Sequence, residues 1–201
     1  MIKLDTGSSI IHRFDEVIDV NTCKEVYDYM LNEKGVTKEC DQNLMPWHEN
    51  DDLNFRDYKD INLKNKVDIY RHLLTQLVCI SFQDIVFPHL TNTVLWREGK
   101  HMGIHKDNGR DDIEFEKQFK PRKYSCVAYM NDDYDGGETF IKQLGMNDYV
   151  STPKTGSILL FKSNEECYHG VNKIKSGNRV TLALWFTDNI QYAEAYNWMI
   201  K

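Results

Sequence analysis

The chain has 201 residues and a mass of 23.7 kDa, enough to bury a sizeable core in one domain. A hydrophobic content of 41%, a charged content of 28% and a net charge of −6 describe an ordinary soluble globular protein. They give no overall field to attract nucleic acid or anionic lipid. No apolar run nears the length of a membrane span, and the first residues carry no charged-then-apolar leader. Five scattered cysteines without C-x-x-C spacing argue against a disulfide framework or a cysteine zinc site. A cytoplasmic protein with reduced thiols is expected.

Residues 9–20 read as an opening strand and a turn. Thr22 and Glu25 have capping-box spacing. Cys23, Val26, Tyr27, Met30 and Leu31 then recur at helical intervals, with Gly35 placed to end the helix. Residues 38–60 read as a solvated loop anchored by Trp47, in which the adjacent His48 and Glu49 would diverge on any regular element. Leu63, Val67, Tyr70, Leu74 and Leu77 form the longest helical stripe, expected to cover one face of a sheet, and Pro88 closes the helical section. His72 and His89 lack ligand-type neighbours and read as structural. From Thr91 onward the pattern changes to short strands at 93–97, 103–107, 123–130, 138–142, 157–161 and 179–187, with turn formers densest at 131–137. Helices first and short strands afterwards, without βαβ alternation, predict a mainly β fold with flanking helices. The expected architecture is a double-stranded β-helix, or jelly roll, over about 91–188, buttressed by N-terminal helices over about 20–90, with 1–201 as a single domain.

The chemistry concentrates in the strands. His105 and Asp107 are two residues apart, and on a strand such side chains project from one face. His169 lies far downstream, and Arg179 follows ten residues later. Two histidines and a carboxylate are the facial set that holds non-haem Fe(II) and leaves coordination positions open. On the last strand Val180, Leu182, Leu184 and Phe186 share a face suited to packing on helices, and Arg179, Thr181, Ala183 and Trp185 share the other. A buried Arg179 needs an acid partner. Either a dicarboxylate ligand meets its paired donors, or a protein acid such as Glu138 does.

Several motifs in sequence order resemble the Fe(II)- and 2-oxoglutarate-dependent dioxygenases, in their prolyl 4-hydroxylase branch. They are Gly99 before His105-Lys106-Asp107, Ala128-Tyr129-Met130-Asn131, Gly136-Gly137-Glu138-Thr139-Phe140, Pro153-x-x-Gly156-x-x-x-x-Phe161, His169 and Arg179. The resemblance implies that His105, Asp107 and His169 are the metal ligands and catalytic centre. It implies Arg179 and Tyr129 as partners of the 2-oxoglutarate distal carboxylate, with Thr181 and Thr139 lining the same cavity. Trp96, where the family usually has a tyrosine, and Arg122 are expected at the substrate. The implied cofactor set is Fe(II), 2-oxoglutarate and O2, with ascorbate as a reductant. The implied reaction is hydroxylation of a C–H bond, above all in peptidyl proline, with release of succinate and CO2. Hydroxylation of a free amino acid or another small molecule is an alternative. Nucleic-acid demethylation is another, although those relatives have a second arginine where this chain has Trp185. A zinc-binding jelly roll without oxygenase activity is a third. The charged stretch 108–121 reads as a mobile lid over the substrate.

Overall fold

The computed structural model describes residues 1–34, 51–143, 145 and 147–194. Helix α1 spans Val20–Lys34. Its cap is Asp19, whose carboxylate accepts from the Thr22 backbone N–H at 2.9 Å and the Thr22 hydroxyl at 2.7 Å. The expected Thr22 cap is thus displaced by three residues, because a carboxylate is the stronger acceptor and Thr22 becomes its donor. Gly35, Trp47, His48 and Glu49 lie outside the described residues. Helix α2 spans Ile61–Phe82 and is capped by Asp60, which accepts from the N–H groups of Asn62 and Leu63. It ends at Gln83 in the left-handed conformation, well before Pro88.

Thirteen strands are found among the described residues. The first six are β1 (Ile2–Leu4), β2 (Ile11–Asp15), β3 (Asp52–Asn54), β4 (Phe87–Trp96), β5 (Met102–His105) and β6 (Tyr124–Tyr129). Next come β7 (Asp135–Gly136), β8 (Thr139–Gln143), β9 (Tyr149–Ser151) and β10 (Ile158–Lys162). The last are β11 (Cys167–Val171), β12 (Ile174–Ser176) and β13 (Arg179–Thr187). Two expectations need correction. Pro88 does not close the helical section but lies inside β4, opposite a register shift between Trp185 and Phe186 of β13. Such an irregularity tolerates a residue with no N–H to give the ladder. Asp52–Asn54, within the stretch that reads as loop, is a strand paired with β4. A polar triplet around one leucine carries no readable periodicity.

The strands form antiparallel sheets: a large one in the order β1-β2-β10-β6-β13-β4-β3, a smaller one in the order β5-β11-β8-β9, and the pair β12-β7. The outer face of the large sheet, with Val180, Leu182, Leu184 and Phe186 of β13, packs on Val26 and Met30 of α1 and Leu63, Val67 and Leu74 of α2. Its inner face supplies Ile11, Tyr129, Leu159 and Phe161, which meet Ile141 and Cys167 of the smaller sheet. This is a jelly roll with helices against one side. No helix among the described residues is long and apolar enough to cross a membrane. Cys23, Cys79, Cys126 and Cys167 are free thiols.

Tyr70 of α2 donates to the Asp19 carboxylate at 2.7 Å, so one acid ties both helices together. The hydroxyls of Thr22 and Tyr70 hold the Asp19 pKa down, to about 2. Asp19 is exposed, which limits its contribution to that of an ordinary cap. Asp19→Ala is expected to lower stability by about 1 kcal/mol at neutral pH in denaturant titration. A depressed carboxyl pKa stabilises above the unfolded-state value and loses that stabilisation as pH falls through the folded value. The difference between wild type and variant should therefore shrink from about pH 4 toward pH 2.

Candidate active site and metal centre

His105 ends β5, and Asp107 lies beyond it at the start of a turn. Strand parity is therefore not what joins the two side chains. The register pairs His105 directly with His169 of β11, bringing the ring centroids to 4.3 Å. The turn then folds the carboxylate back, with Asp107 Oδ1 3.5 Å from His105 Nε2 and Oδ2 3.3 Å from His169 Nε2. One potential ligand atom from each of the three lies within 4.8 Å of the others. The outer nitrogens are occupied: His105 Nδ1 is 2.9 Å from the Gly103 carbonyl and His169 Nδ1 3.2 Å from that of Cys167. Donation to those carbonyls fixes the tautomer that leaves each Nε2 lone pair facing the cluster. A side chain at Gly170 would lie 2.6 Å from the Met102 carbonyl oxygen, so the residue after His169 lets β5 close on β11.

Burial opposes the charge on Asp107, but His169 and His105 more than compensate and hold its carboxyl well below the usual carboxylate range. Burial likewise pulls the His105 pKa down, and the Asp107 carboxylate outweighs it, leaving a net rise. The His105 side chain is 34% exposed, against 7% for His169. The centre therefore opens on the β5 side. Two imidazole nitrogens and one carboxylate, converging with a single open side, fit a divalent metal.

A second polar site lies between the sheets. Arg179 is 1% exposed, and no described carboxylate pairs with it; Glu138 instead accepts from Asn172. Arg179 Nη2 donates to Thr139 Oγ1 at 3.1 Å, and the Tyr129 hydroxyl donates to the same oxygen at 2.9 Å. Thr181, buried, is the register partner of Tyr129. Trp96 is the register partner of Arg179, and its ring lies 5.3 Å from the guanidinium carbon. That places Trp96 beside the buried arginine rather than at the open rim. Arg179 Nε makes no hydrogen bond. A buried, unpaired guanidinium fits an anionic ligand carboxylate.

Arg122 is buried as well. Its guanidinium lies 4.2 Å from the Phe119 ring and 4.2 Å from the Trp185 ring, and its Nη1 reaches the Asp107 carbonyl at 3.5 Å. Burial lowers its pKa to about 10 despite the nearby Asp107 charge. The segment read as a mobile lid contains a short 3-10 helix, Glu114–Phe119. It is pinned by Arg110 on Glu116 and Lys120 on Asp111.

The sequence profile of the 2OG-Fe(II) oxygenase superfamily matches residues 89–187, a span that contains both sites. The chain belongs to that superfamily. Membership implies Fe(II), 2-oxoglutarate and O2, and the histidine–aspartate centre and the unpaired Arg179 fit the first two. Prolyl 3-hydroxylase 2 of Mus musculus is 37% identical over 99 residues, 45% of this chain but only 14% of that protein. The oxygenase thus spans about a seventh of the length of this curated relative. A Pseudomonas putida prolyl-4-hydroxylase structure superposes with a TM-score of 0.65 at 19% identity, over 92% of this chain and 96% of that one. A Trichoplax adhaerens prolyl hydroxylase, solved with a hypoxia inducible factor oxygen degradation domain peptide fragment, gives 0.68 at 16% identity, over 90% and 85%. At these identities the structures establish the jelly-roll fold.

Two supporting groups of the oxygenase were not legible as such. Ser125 Oγ donates to Asp107 Oδ2 at 2.6 Å and sits 2.7 Å from Ser163 Oγ. Its only sequence signal is a hydroxyl at the inward parity of β6, shared with Val127 and Tyr129. Tyr134, from the turn-rich stretch, packs beside Trp96 and Ile174, and no periodicity could have placed it there. Ser125→Ala should weaken Fe(II) affinity about 10- to 100-fold, the usual effect of losing an outer-shell partner, with the fold intact. Competition with a metal-sensing dye measures it, and an unchanged affinity would remove Ser125 from the centre's support.

Proposed function

We propose that this oxygenase hydroxylates proline residues in a peptide or protein, using Fe(II), O2 and 2-oxoglutarate and releasing succinate and CO2. The observation that carries the reading is the convergence of His105, Asp107 and His169 in the same sandwich as a buried arginine that no described carboxylate pairs. His105, Asp107 and His169 would hold Fe(II) on one side, leaving the opposite positions for ligands. Bound there with 2-oxoglutarate, the iron supplies the oxidant for the C–H bond. Arg179 would receive the distal carboxylate, with Tyr129 and Arg179 both oriented by Thr139 Oγ1 and Thr181 closing the wall.

Arg122 is the residue we assign to the substrate. It is held between Phe119 and Trp185, and its Nε has no partner, leaving a fixed donor for a backbone carbonyl near the target proline. The segment 108–122 begins and ends beside the centre and would shield it from water. Ascorbate would serve as reductant when turnover uncouples. The proline assignment is supported by the prolyl hydroxylases among the relatives. Their names divide between 3- and 4-hydroxylases, so the carbon attacked is left to experiment. Trp185 stacks on Arg122 where the nucleic-acid demethylases have a second arginine, which argues against a nucleic-acid substrate.

The test is a panel of proline-containing peptides, free proline and methylated oligonucleotides, incubated with Fe(II), 2-oxoglutarate and ascorbate. Mass spectrometry should find one added oxygen on a peptidyl proline, with succinate formed in equal amount. Coupled turnover with free proline or the oligonucleotide, and none with peptides, would overturn the proposal.

A further inference from the structure

Three buried polar atoms around the second site have no partner at full hydrogen-bond geometry among the described residues: Arg179 Nε, Trp96 Nε1 and Tyr134 Oη. Their side chains lie in one packed group. Trp96 and Arg179 are register partners on β4 and β13, and Trp96 packs in one cluster with Ile174 and Tyr134. Gly137, at φ +69°, is where the arginine stem and the tyrosine ring converge. A Cβ there would lie 3.1 Å from Arg179 Cδ, 3.2 Å from Tyr134 Cε2 and 2.2 Å from Ile174 Cδ1. The second glycine of the Gly136-Gly137 pair thus leaves room for both side chains.

Leaving a buried donor without an acceptor is costly, and here three such groups belong to neighbouring side chains. The guanidinium and indole N–H groups can only donate. The Tyr134 hydroxyl stays protonated at neutral pH, since burial raises its pKa more than the adjacent Arg179 lowers it through its charge and its approach to the phenol oxygen, so it too has a proton to give. A carboxylate offers about four acceptor sites and a compensating charge, and so satisfies all three at once. We propose that Trp96 Nε1 and Tyr134 Oη are, with Arg179, donors to the distal carboxylate of bound 2-oxoglutarate. The inference rests on the cosubstrate reading above. It moves Trp96 from substrate recognition to cosubstrate binding and adds Tyr134, which no motif marks.

The experiment is calorimetric titration of 2-oxoglutarate into the Mn(II)-loaded protein without O2. Wild type, Trp96→Phe, Tyr134→Phe and Arg179→Ala are compared, with oxalate as a second ligand that chelates metal but has no distal carboxylate. Each Phe variant keeps the ring and removes one donor. Each should weaken 2-oxoglutarate about tenfold or more, the effect expected for a hydrogen bond to a charged group, and change oxalate affinity less than about twofold. Equal losses for both ligands would place the effect at the metal end and overturn the inference. Unchanged 2-oxoglutarate affinity in both Phe variants, with a loss in Arg179→Ala, would overturn it while leaving the cosubstrate reading standing. A loss in only one variant overturns it for the other residue. Failure of wild type to bind 2-oxoglutarate would remove both readings. Thermal melts establish folding, and Tyr134→Phe carries the test alone should Trp96→Phe not fold.

Discussion

Asp107→Ala is expected to abolish Fe(II)-dependent succinate formation while leaving the circular dichroism spectrum unchanged. Asp107 provides the one carboxylate oxygen set facing both His105 Nε2 and His169 Nε2. Without it the centre keeps two imidazole nitrogens and no carboxylate charge to hold a divalent cation. Fe(II) affinity should fall by more than the roughly 10- to 100-fold typical of an outer-shell loss. The fold should survive, because Asp107 lies in a turn outside β5 and its backbone is not part of a sheet ladder. Full turnover by the variant would show that the three residues are not the metal centre.

Arg179→Ala is expected to leave Fe(II) binding near normal and to raise the KM for 2-oxoglutarate by about 30-fold to several-thousand-fold. That range corresponds to roughly 2–5 kcal/mol for truncating one partner of a buried, hydrogen-bonded charge pair. The size follows from burial: at 1% exposure the guanidinium is out of bulk water, and no described carboxylate stands beside it, which leaves its pairing to a ligand. Steady-state kinetics with varied 2-oxoglutarate measures it. A KM within about threefold of wild type, against the range above, would mean the cosubstrate carboxylate is held elsewhere.

The fold was largely readable because its signals were periodic. The alternation along residues 179–187 placed Val180, Leu182, Leu184 and Phe186 against the helices, and Arg179 and Thr181 between the sheets. The boundaries were less readable where one residue decides them. A proline usually stops regular structure, and only the opposing irregularity in β13 lets Pro88 sit within β4. The capping-box spacing points to Thr22 as the cap of α1, and only the folded turn shows that Asp19 takes that place with Thr22 as its donor. In the site, residue types and order pointed to His105, Asp107, His169 and Arg179, but the reason for their meeting was partly different. Cross-strand pairing of His105 with His169 and a turn at Asp107 bring them together, not parity along one strand. The resemblance puts Arg122 at the substrate, but nothing local in the sequence announces that Phe119 and Trp185 close on it. Ser125 and Tyr134 act through contacts that only tertiary packing creates.

The most direct test of the central claim is an anaerobic visible-absorbance titration with Fe(II) and 2-oxoglutarate. A weak metal-to-ligand charge-transfer band requires both to be bound at one iron. Neither addition alone should produce the band, and the two together should. In Arg179→Ala much more 2-oxoglutarate should be needed, and in Asp107→Ala the band should be absent. No band in the wild-type protein at saturating Fe(II) and 2-oxoglutarate, or a full band in Asp107→Ala, would contradict it.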